Sequence, residues 1–362
     1  MPWQEVSVMD QRREFVELAM QEGANRLELC RRFGISRQTG YKWLARWKAG
    51  ESLSDHSRRP HNSPGRSAAA IETRVLAIRD EHPAWGARKI ARRLERKGYE
   101  APAASTVHAI LHRHGRVDDR LAGAPGKAWQ RFEKPAANML WQMDFKGYKT
   151  LVNGTTCHPL TIVDDHSRYA VCLRACENQQ GDTVRSGLEA TFRRYGLPDA
   201  MLVDNGTPWG TAGEPGWTRF GVWLLKLGVD VLHSRPYHPQ TRGKNERFHR
   251  TLEAEVFALR RLRDLAEAQR AFDRWLIVYN HERPHQALDQ EVPASRYVPS
   301  PRAMPSKPPQ IEYDEHEIVR KVCNGFVSFK SRPYKVPDAF RGERVAIRPR
   351  VQTKGIQAIK AY

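Results

Sequence analysis

Three carboxylates stand in contexts that suit chemistry on phosphate esters. Asp144 lies in the run Trp141-Gln142-Met143-Asp144-Phe145, Asp204 in Leu202-Val203-Asp204-Asn205-Gly206, and Glu246 in the long polar and basic run 234–250. Two strand-borne aspartates and one helix-borne glutamate, distant in sequence and convergent in space, can hold two divalent ions roughly 3.5–4 Å apart. Magnesium takes oxygen ligands and keeps several waters, so one or two carboxylates per ion suffice. Such a site serves hydrolysis when water attacks and direct transesterification when a 3′-hydroxyl attacks. The chain has 60 Lys and Arg against 41 Asp and Glu, a net charge of +19, which favours a polyanionic partner; the phosphodiester expected is DNA. Asp164 and Asp165 are a competing acid pair. Followed by His166-Ser167-Arg168 between two strand-like runs, they read as turn formers.

The elements that must position the three acids form an α/β pattern. Residues 140–147 alternate, so that Gln142, Asp144 and Lys146 share one face of a strand and Trp141, Met143 and Phe145 the other. Strands follow at 156–163 and 169–175. A helix over 181–195 carries Val184, Leu188, Phe192 and Tyr195 on one side. A short strand, 200–203, ends at Asp204, a place where α/β sheets present ligand-binding groups. A helix over 220–227, a strand over 229–233 and a long helix over 241–259 come next, with Pro236, Pro239 and Gly243 delaying the helix that bears Glu246. One more helix spans 265–279. Three early strands, then helix, strand, helix, strand, helix, predict a ribonuclease-H-like α/β catalytic domain.

Two all-α modules precede it. In the first, a helix begins at 14–19. A second holds Leu27, Leu29, Cys30 and Phe33 and stops at Gly34, and a third is capped by Ser36 and runs to Trp47. Tyr41, Leu44 and Trp47 are expected to form the buried side of that third helix. This is a helix-turn-helix pattern, and Arg37, Gln38, Thr39 and Lys42 are its candidates to face DNA. In the second module, Ile71, Val75 and Ile78 stripe a helix over 68–80. A basic helix follows with Arg88, Lys89, Arg92, Arg93, Arg96 and Lys97 beside a single nearby acid, Glu95. That excess predicts phosphate contact. Ser105 and Thr106 open the third helix; His108, His112 and His114 have no cysteine or acid beside them to suggest a metal site.

The boundaries expected are a helix-turn-helix domain at 1–50, a linker at 51–66, a second helix-turn-helix domain at 67–115 and a linker at 116–135. The catalytic core takes 136–298, a Pro-rich linker 299–310, and a small C-terminal β-barrel-like domain 311–362. Five cysteines, an odd number in a long chain, argue for a reducing compartment. No apolar run approaches the roughly 18–20 residues of a membrane span and no signal peptide is recognised, so the cytoplasm is expected.

Taken together, the paired helical modules, the words around the three acids, the run from Ser234 to Leu252 and the segment Tyr279-Asn280-His281-Glu282-Arg283-Pro284-His285-Gln286-Ala287-Leu288 resemble a known family over nearly the whole length. The chain is similar to bacterial insertion-sequence transposases of the DDE type with a retroviral-integrase-like core, of the insertion-sequence 481 group and related to the insertion-sequence 3 group. The resemblance implies that Asp144, Asp204 and Glu246 ligate two Mg²⁺ ions, for which Mn²⁺ substitutes. It implies that His238, Pro239, Gln240 and Gly243 border the active site at the DNA end, with Arg242, Lys244 and Arg250 as further DNA contacts. Tyr279, Asn280, Arg283, Pro284 and His285 would belong to the motif that closes the core. The implied partners are double-stranded DNA, both terminal inverted repeats and target, and further copies of the chain in a dimer or higher multimer; the implied location is the bacterial nucleoid. Alternative readings are a structure-specific nuclease of the same fold and a DNA-binding regulator with a decayed core. Two features depart from the family pattern. The spacer between Asp204 and Glu246 is longer, the extra length falling at 208–217. Glu253 stands where a basic residue is usual, two helical turns past the glutamate, so Arg250 is assigned the phosphate and Glu253→Lys is expected to raise DNA affinity.

Overall fold

The computed structural model describes residues 7–55, 66–117, 133–206, 209–210, 217–233 and 243–348. The chain divides into two compact units, residues 1–66 and 67–362.

In the first unit, helices α1 (Val8–Ala19), α2 (Arg26–Arg32) and α3 (Arg37–Lys48) are each opened by a side-chain cap. Ser7, Asn25 and Ser36 accept from the backbone N–H groups of Asp10, Glu28 and Thr39. Gly34 turns the chain between α2 and α3 at φ +61°. The core gathers Phe15, Val16, Cys30, Trp43, Leu44 and Leu53. The inward face of α3 is Gly40, Trp43 and Leu44, and not the expected Tyr41, Leu44 and Trp47; Tyr41 and Trp47 are 50% and 40% exposed. Close approach at Gly40 decides this. A Cβ there would lie 2.6 Å from Cys30 Sγ and 2.9 Å from Phe15 Cζ, so only the bare glycine face of α3 can press against α1 and α2.

The second unit opens with α4 (Ala69–Glu81), α5 (Ala87–Arg96) and α6 (Ala104–Arg113), packed around Val75, Ile78, Trp85, Ile90, Leu94, Val107 and Ile110. A mixed sheet follows: β1 (Trp141–Phe145), β2 (Lys149–Thr150), β3 (Thr156–Asp164), β4 (Ala170–Cys176), β5 (Ala200–Val203) and β6 (Asp230–His233). β3 pairs antiparallel with β4 on one side and with β1 and β2 on the other, while β5 runs parallel to β1 and β6 parallel to β5. The order across the sheet is therefore β4-β3-β1-β5-β6. Helices α7 (Gly181–Tyr195) and α8 (Arg219–Lys226) cover one face, burying Trp141, Met143, Met201 and Val203. Helices α9 (Gly243–Leu252) and α10 (Leu265–Ile277) cover the other, around Cys157, Val163, Phe248, Leu252, Phe272 and Trp275. Both end in a wider π-helical turn, at Glu253–Phe257 and Val278–Glu282. Helices on both faces of a five-strand-wide sheet whose first three strands are antiparallel make the ribonuclease-H-like domain expected from the sequence.

Beyond the core, β7 (Ile318–Lys321) pairs with β10 (Arg344–Ile347), and β8 (Phe326–Phe329) pairs with β9 (Arg332–Lys335). Where a barrel was expected, the described residues form these two separate two-stranded sheets. They share a small core of Val322, Val327, Val336, Phe340 and Val345 with Val222 of α8, and Lys226 of α8 donates to Glu343 at 3.0 Å.

Candidate active site and nucleic-acid interface

β1 and β5 lie side by side, with Trp141 level with Met201 and Gln142 with Leu202. Continuing that register sets Asp144 level with Asp204, about 5 Å apart along neighbouring strands. Since Met143 and Val203 are buried under α7 and α8, alternation turns both aspartates to the opposite face, where α9 lies. Asp204 ends its strand in a tight turn. Its Oδ1 accepts from Gly206 N at 2.9 Å, and its backbone oxygen lies 3.0 Å from His233 Nδ1 at the end of β6. Glu246 projects from the first turn of α9 and is exposed. The donor set is all carboxylate oxygen, which suits a hard divalent cation. Among the described residues, however, no trio of His, Cys, Asp or Glu side chains is drawn together at metal-binding distance. The aspartates are aligned, and Glu246 stands on the same face without closing on them.

Three polar fastenings fix α9 on the sheet. Near its start, Lys244 forms an ion pair with Asp165, whose side chain is 0% exposed. In its middle, His249 Nε2 lies 2.8 Å from Thr161 Oγ1, and that hydroxyl lies 2.9 Å from the backbone oxygen of Asp144. At its end, Glu253 bridges Lys146 and Lys149, the latter at 2.7 Å, and both lysines also lie over the Phe257 ring. Burial, and then the nearby Lys146, push His249 down to about 4, so its ring is neutral. At Glu253, burial opposes ionisation, but the hydrogen bonds from Lys146 and Lys149 outweigh it and hold the carboxyl below its ordinary value. The absent helix-borne cation is thus met by two lysines from the strand side. Lys146, Thr161 and His249 were not singled out as site residues in the sequence. The available signal was the spacing of His249, one turn past Glu246 on one helical face, and the shared strand face of Lys146 and Asp144.

Asp164 and Asp165 are wholly buried. Asp164 accepts from the N–H groups of Asn138 and Ser167, each at 2.8 Å, and from the Ser167 hydroxyl, closing the turn before β4. Burial raises its carboxyl above the ordinary value against the pull of those bonds. Asp165 accepts from Lys134 N at 2.8 Å and Gln142 Nε2 at 2.7 Å as well as from Lys244. Lys244, expected at the DNA end, is therefore occupied in holding α9. Arg250, one turn past Glu246, is exposed. His238, Gln240 and Arg242 lie outside the described residues.

In the first unit, Arg37, Gln38 and Lys42 are exposed on α3, while the Thr39 hydroxyl is 2.9 Å from the capping Ser36 hydroxyl. In the second module, Ser105 is exposed at the start of α6 with Thr106 half-buried beside it. The basic helix α5 presents two faces. Arg88 is exposed, whereas Arg92 pairs with Glu291 and Arg93 with Glu282, and Arg96 approaches Glu291 at 3.5 Å. Burial, followed by the neighbouring Arg283, pushes Lys89 down to about 8. Three of the cations read as a phosphate-binding surface, Arg92, Arg93 and Arg96, thus seat the helical module on the core. A local sequence window holds only Glu95; the acids that answer this helix come from the core's final segment.

That segment closes the domain. Asn280 exchanges two hydrogen bonds with the backbone of Ala170, at 2.9 and 3.0 Å. Arg283 donates to Glu255 at 2.8 Å, Tyr279 packs on Phe248 and Trp275, and burial holds His285 neutral and well below its usual range.

With this geometry in hand, the chain matches the integrase core domain model over residues 134–239 and a second integrase core domain model over 227–293. It also matches a helix-turn-helix domain over 11–61 and a homeodomain-like domain over 39–111. It is 25% identical over 250 residues to an uncharacterized 31.7 kDa protein of insertion element IS407 from Burkholderia multivorans, covering 68% of this chain and 86% of that one. It is 27% identical over 157 residues to an uncharacterized 39.2 kDa protein of insertion element IS476 from Xanthomonas euvesicatoria, 43% of each. Among solved structures it resembles a simian T-cell lymphotropic virus intasome with a PP2A regulatory subunit (TM-score 0.39, 18% identity, 77% of this chain and 94% of that one). It also resembles the HTLV-2 integrase catalytic core with magnesium (TM-score 0.35, 15% identity, 45% and 99%). The fold is defined by the strand order, not by these superpositions.

A ribonuclease-H-like integrase core behind helix-turn-helix DNA-binding units defines a polynucleotidyl transferase that acts on DNA. Within that class, the chain is similar to proteins encoded by bacterial insertion elements, which points to the insertion-element transposases with an integrase core.

Proposed function

We propose that the chain is a transposase that binds the terminal inverted repeats of its element, cleaves at the element ends and joins the resulting 3′-hydroxyls to target DNA. The observation that carries the reading is the register of β1 and β5, which sets Asp144 beside Asp204 on the sheet face occupied by the Glu246 helix. Asp144, Asp204 and Glu246 would hold two Mg²⁺ ions, with Mn²⁺ as a substitute. When bound, such ions supply Lewis acidity at the scissile phosphate. The protein's own contribution is position. Asp144 is fixed by the β1–β3 ladder, Asp204 by its turn to Gly206, and Glu246 by the fastenings of α9.

Arg37, Gln38 and Lys42 on α3, with Arg88, Ser105 and Thr106 in the second module, are the side chains proposed to meet repeat DNA. Thr39 contributes through the α3 cap, and Lys89, Arg92 and Arg93 reach phosphate only if DNA displaces their core partners. Arg250, with His238, Gln240 and Arg242, is proposed to border the DNA end, and Lys244 reaches it only if DNA draws it from Asp165. Two ends must be paired, which calls for at least two copies of the chain on DNA, in the nucleoid.

The test is incubation of the full chain with Mg²⁺ or Mn²⁺ and a labelled element-end duplex, beside Asp204→Ala. Cleavage and strand transfer that vanish in the variant support the reading. Cleavage without transfer would make the chain a nuclease, and binding alone would make it a regulator.

A further inference from the structure

The His249–Thr161–Asp144 contact has its protons fixed by counting. The Thr161 hydroxyl has one hydrogen, and the Asp144 backbone oxygen, 2.9 Å away, can only accept. Thr161 therefore donates to Asp144, and its oxygen must accept from His249 across 2.8 Å. This requires the neutral ring to carry its hydrogen on Nε2. Thr161 itself is 0% exposed.

The placement of this contact sets it apart from the other fastenings of α9. Lys244 ends on Asp165, and Glu253 ends on two lysine side chains. The middle fastening ends on the peptide of Asp144, in the register pair Asp144–Thr161 of the β1–β3 ladder. His249 lies three residues after Glu246, so the two side chains stand one above the other on α9. A single hydroxyl therefore joins the strand that bears one acid to the helix turn that bears another.

We infer that His249, acting through Thr161, is a positioning residue that sets the Glu246 turn of α9 against the strand carrying Asp144. The inference rests on the reading of these acids as the reacting site. Removing the hydroxyl frees His249 to turn and lets the Glu246 turn drift while the apolar seat of α9, Phe248 and Leu252, stays buried. A displacement of about 1 Å at a reacting group costs on the order of 100-fold in rate.

The experiment compares wild type, Thr161→Val, Thr161→Ser and His249→Gln as full chains. Three quantities are read: element-end cleavage with Mn²⁺, affinity for the same duplex, and ring nitrogen NMR shifts of ¹⁵N-histidine-labelled protein. Thr161→Val is expected to cut on the order of 10- to 100-fold more slowly with DNA affinity unchanged, and to lose the fixed Nε2–H signature of His249. Thr161→Ser is expected to restore both. His249→Gln, whose amide can donate to Thr161, is expected to retain more activity than Thr161→Val and serves if the valine variant folds poorly. Wild-type rates in Thr161→Val, or equal losses in valine and serine variants, would overturn the inference. An inactive wild type that still shows the Nε2–H signature would instead count against the proposed reaction.

Discussion

Asp165→Asn separates the structural acids from the reacting ones. The Asp165 side chain is fully buried and receives Lys134 N, Gln142 Nε2 and the Lys244 ammonium, whose own side chain is 17% exposed. Asparagine keeps the shape but removes the charge and one acceptor oxygen. Breaking a buried ion pair from one side costs about 3–5 kcal/mol; the residual exposure of Lys244 argues for the lower end. A donor left facing the new amide NH₂ adds about 1 kcal/mol. At roughly 2–4 °C per kcal/mol for a large domain, the melting temperature of the full chain should fall on the order of 10 °C. Scanning calorimetry of Asp165→Asn beside Asp144→Asn makes the comparison. Asp144→Asn should abolish cleavage with a shift of no more than a few degrees. If Asp165→Asn lost cleavage while melting like wild type, Asp165 would belong to the chemistry and the structural assignment would fail.

Two further outcomes follow from α9. Glu253→Lys replaces the anion between Lys146 and Lys149 with a third cation, so DNA affinity should rise and its salt dependence should steepen by about one phosphate contact, while thermal stability drops; unchanged binding in a salt titration would refute this. His249 is held neutral, burial lowering its folded value to about 4 from the ordinary imidazole value of 6.5. Its contribution is therefore complete above pH 6.5 and is lost as pH falls from there toward 4, about 2 kcal/mol by pH 5. Urea titrations should show a shallower acid decline in His249→Gln, and parallel profiles for the two proteins would count against it.

The strand face bearing Asp144 was legible because alternation is local: Trp141 and Met143 against Gln142, Asp144 and Lys146 reads directly as core side and site side. The side of α3 was misread for a tertiary reason. Tyr41 and Trp47 have the bulk of core residues, yet the helices meet at Gly40, and no local periodicity announces that contact. The acid partners of the basic face of α5 were hidden from a local reading in a similar way. Its charges are real, but Glu282 and Glu291, which engage Arg93 and Arg92, lie 189 and 199 residues further along the chain. The Thr161–His249 contact spans 88 residues and was invisible for the same reason. By contrast, the assignment of Asp164 to a turn needed only the neighbouring Ser167.

Strand β4 lies at the margin of the sheet, and its outer backbone groups do not wait for another strand. Asn280 takes both the N–H and the oxygen of Ala170, while Gln269 of α10 takes Ala175 N at 2.9 Å and Leu173 O at 3.1 Å. Two carboxamide side chains thus act as short imitation strands. They blunt an edge that would otherwise invite pairing with a neighbouring polypeptide. A second polypeptide cannot extend the sheet across β4 without first breaking these bonds, so any contact made on that flank would run through side-chain surfaces and not through continuous β-structure.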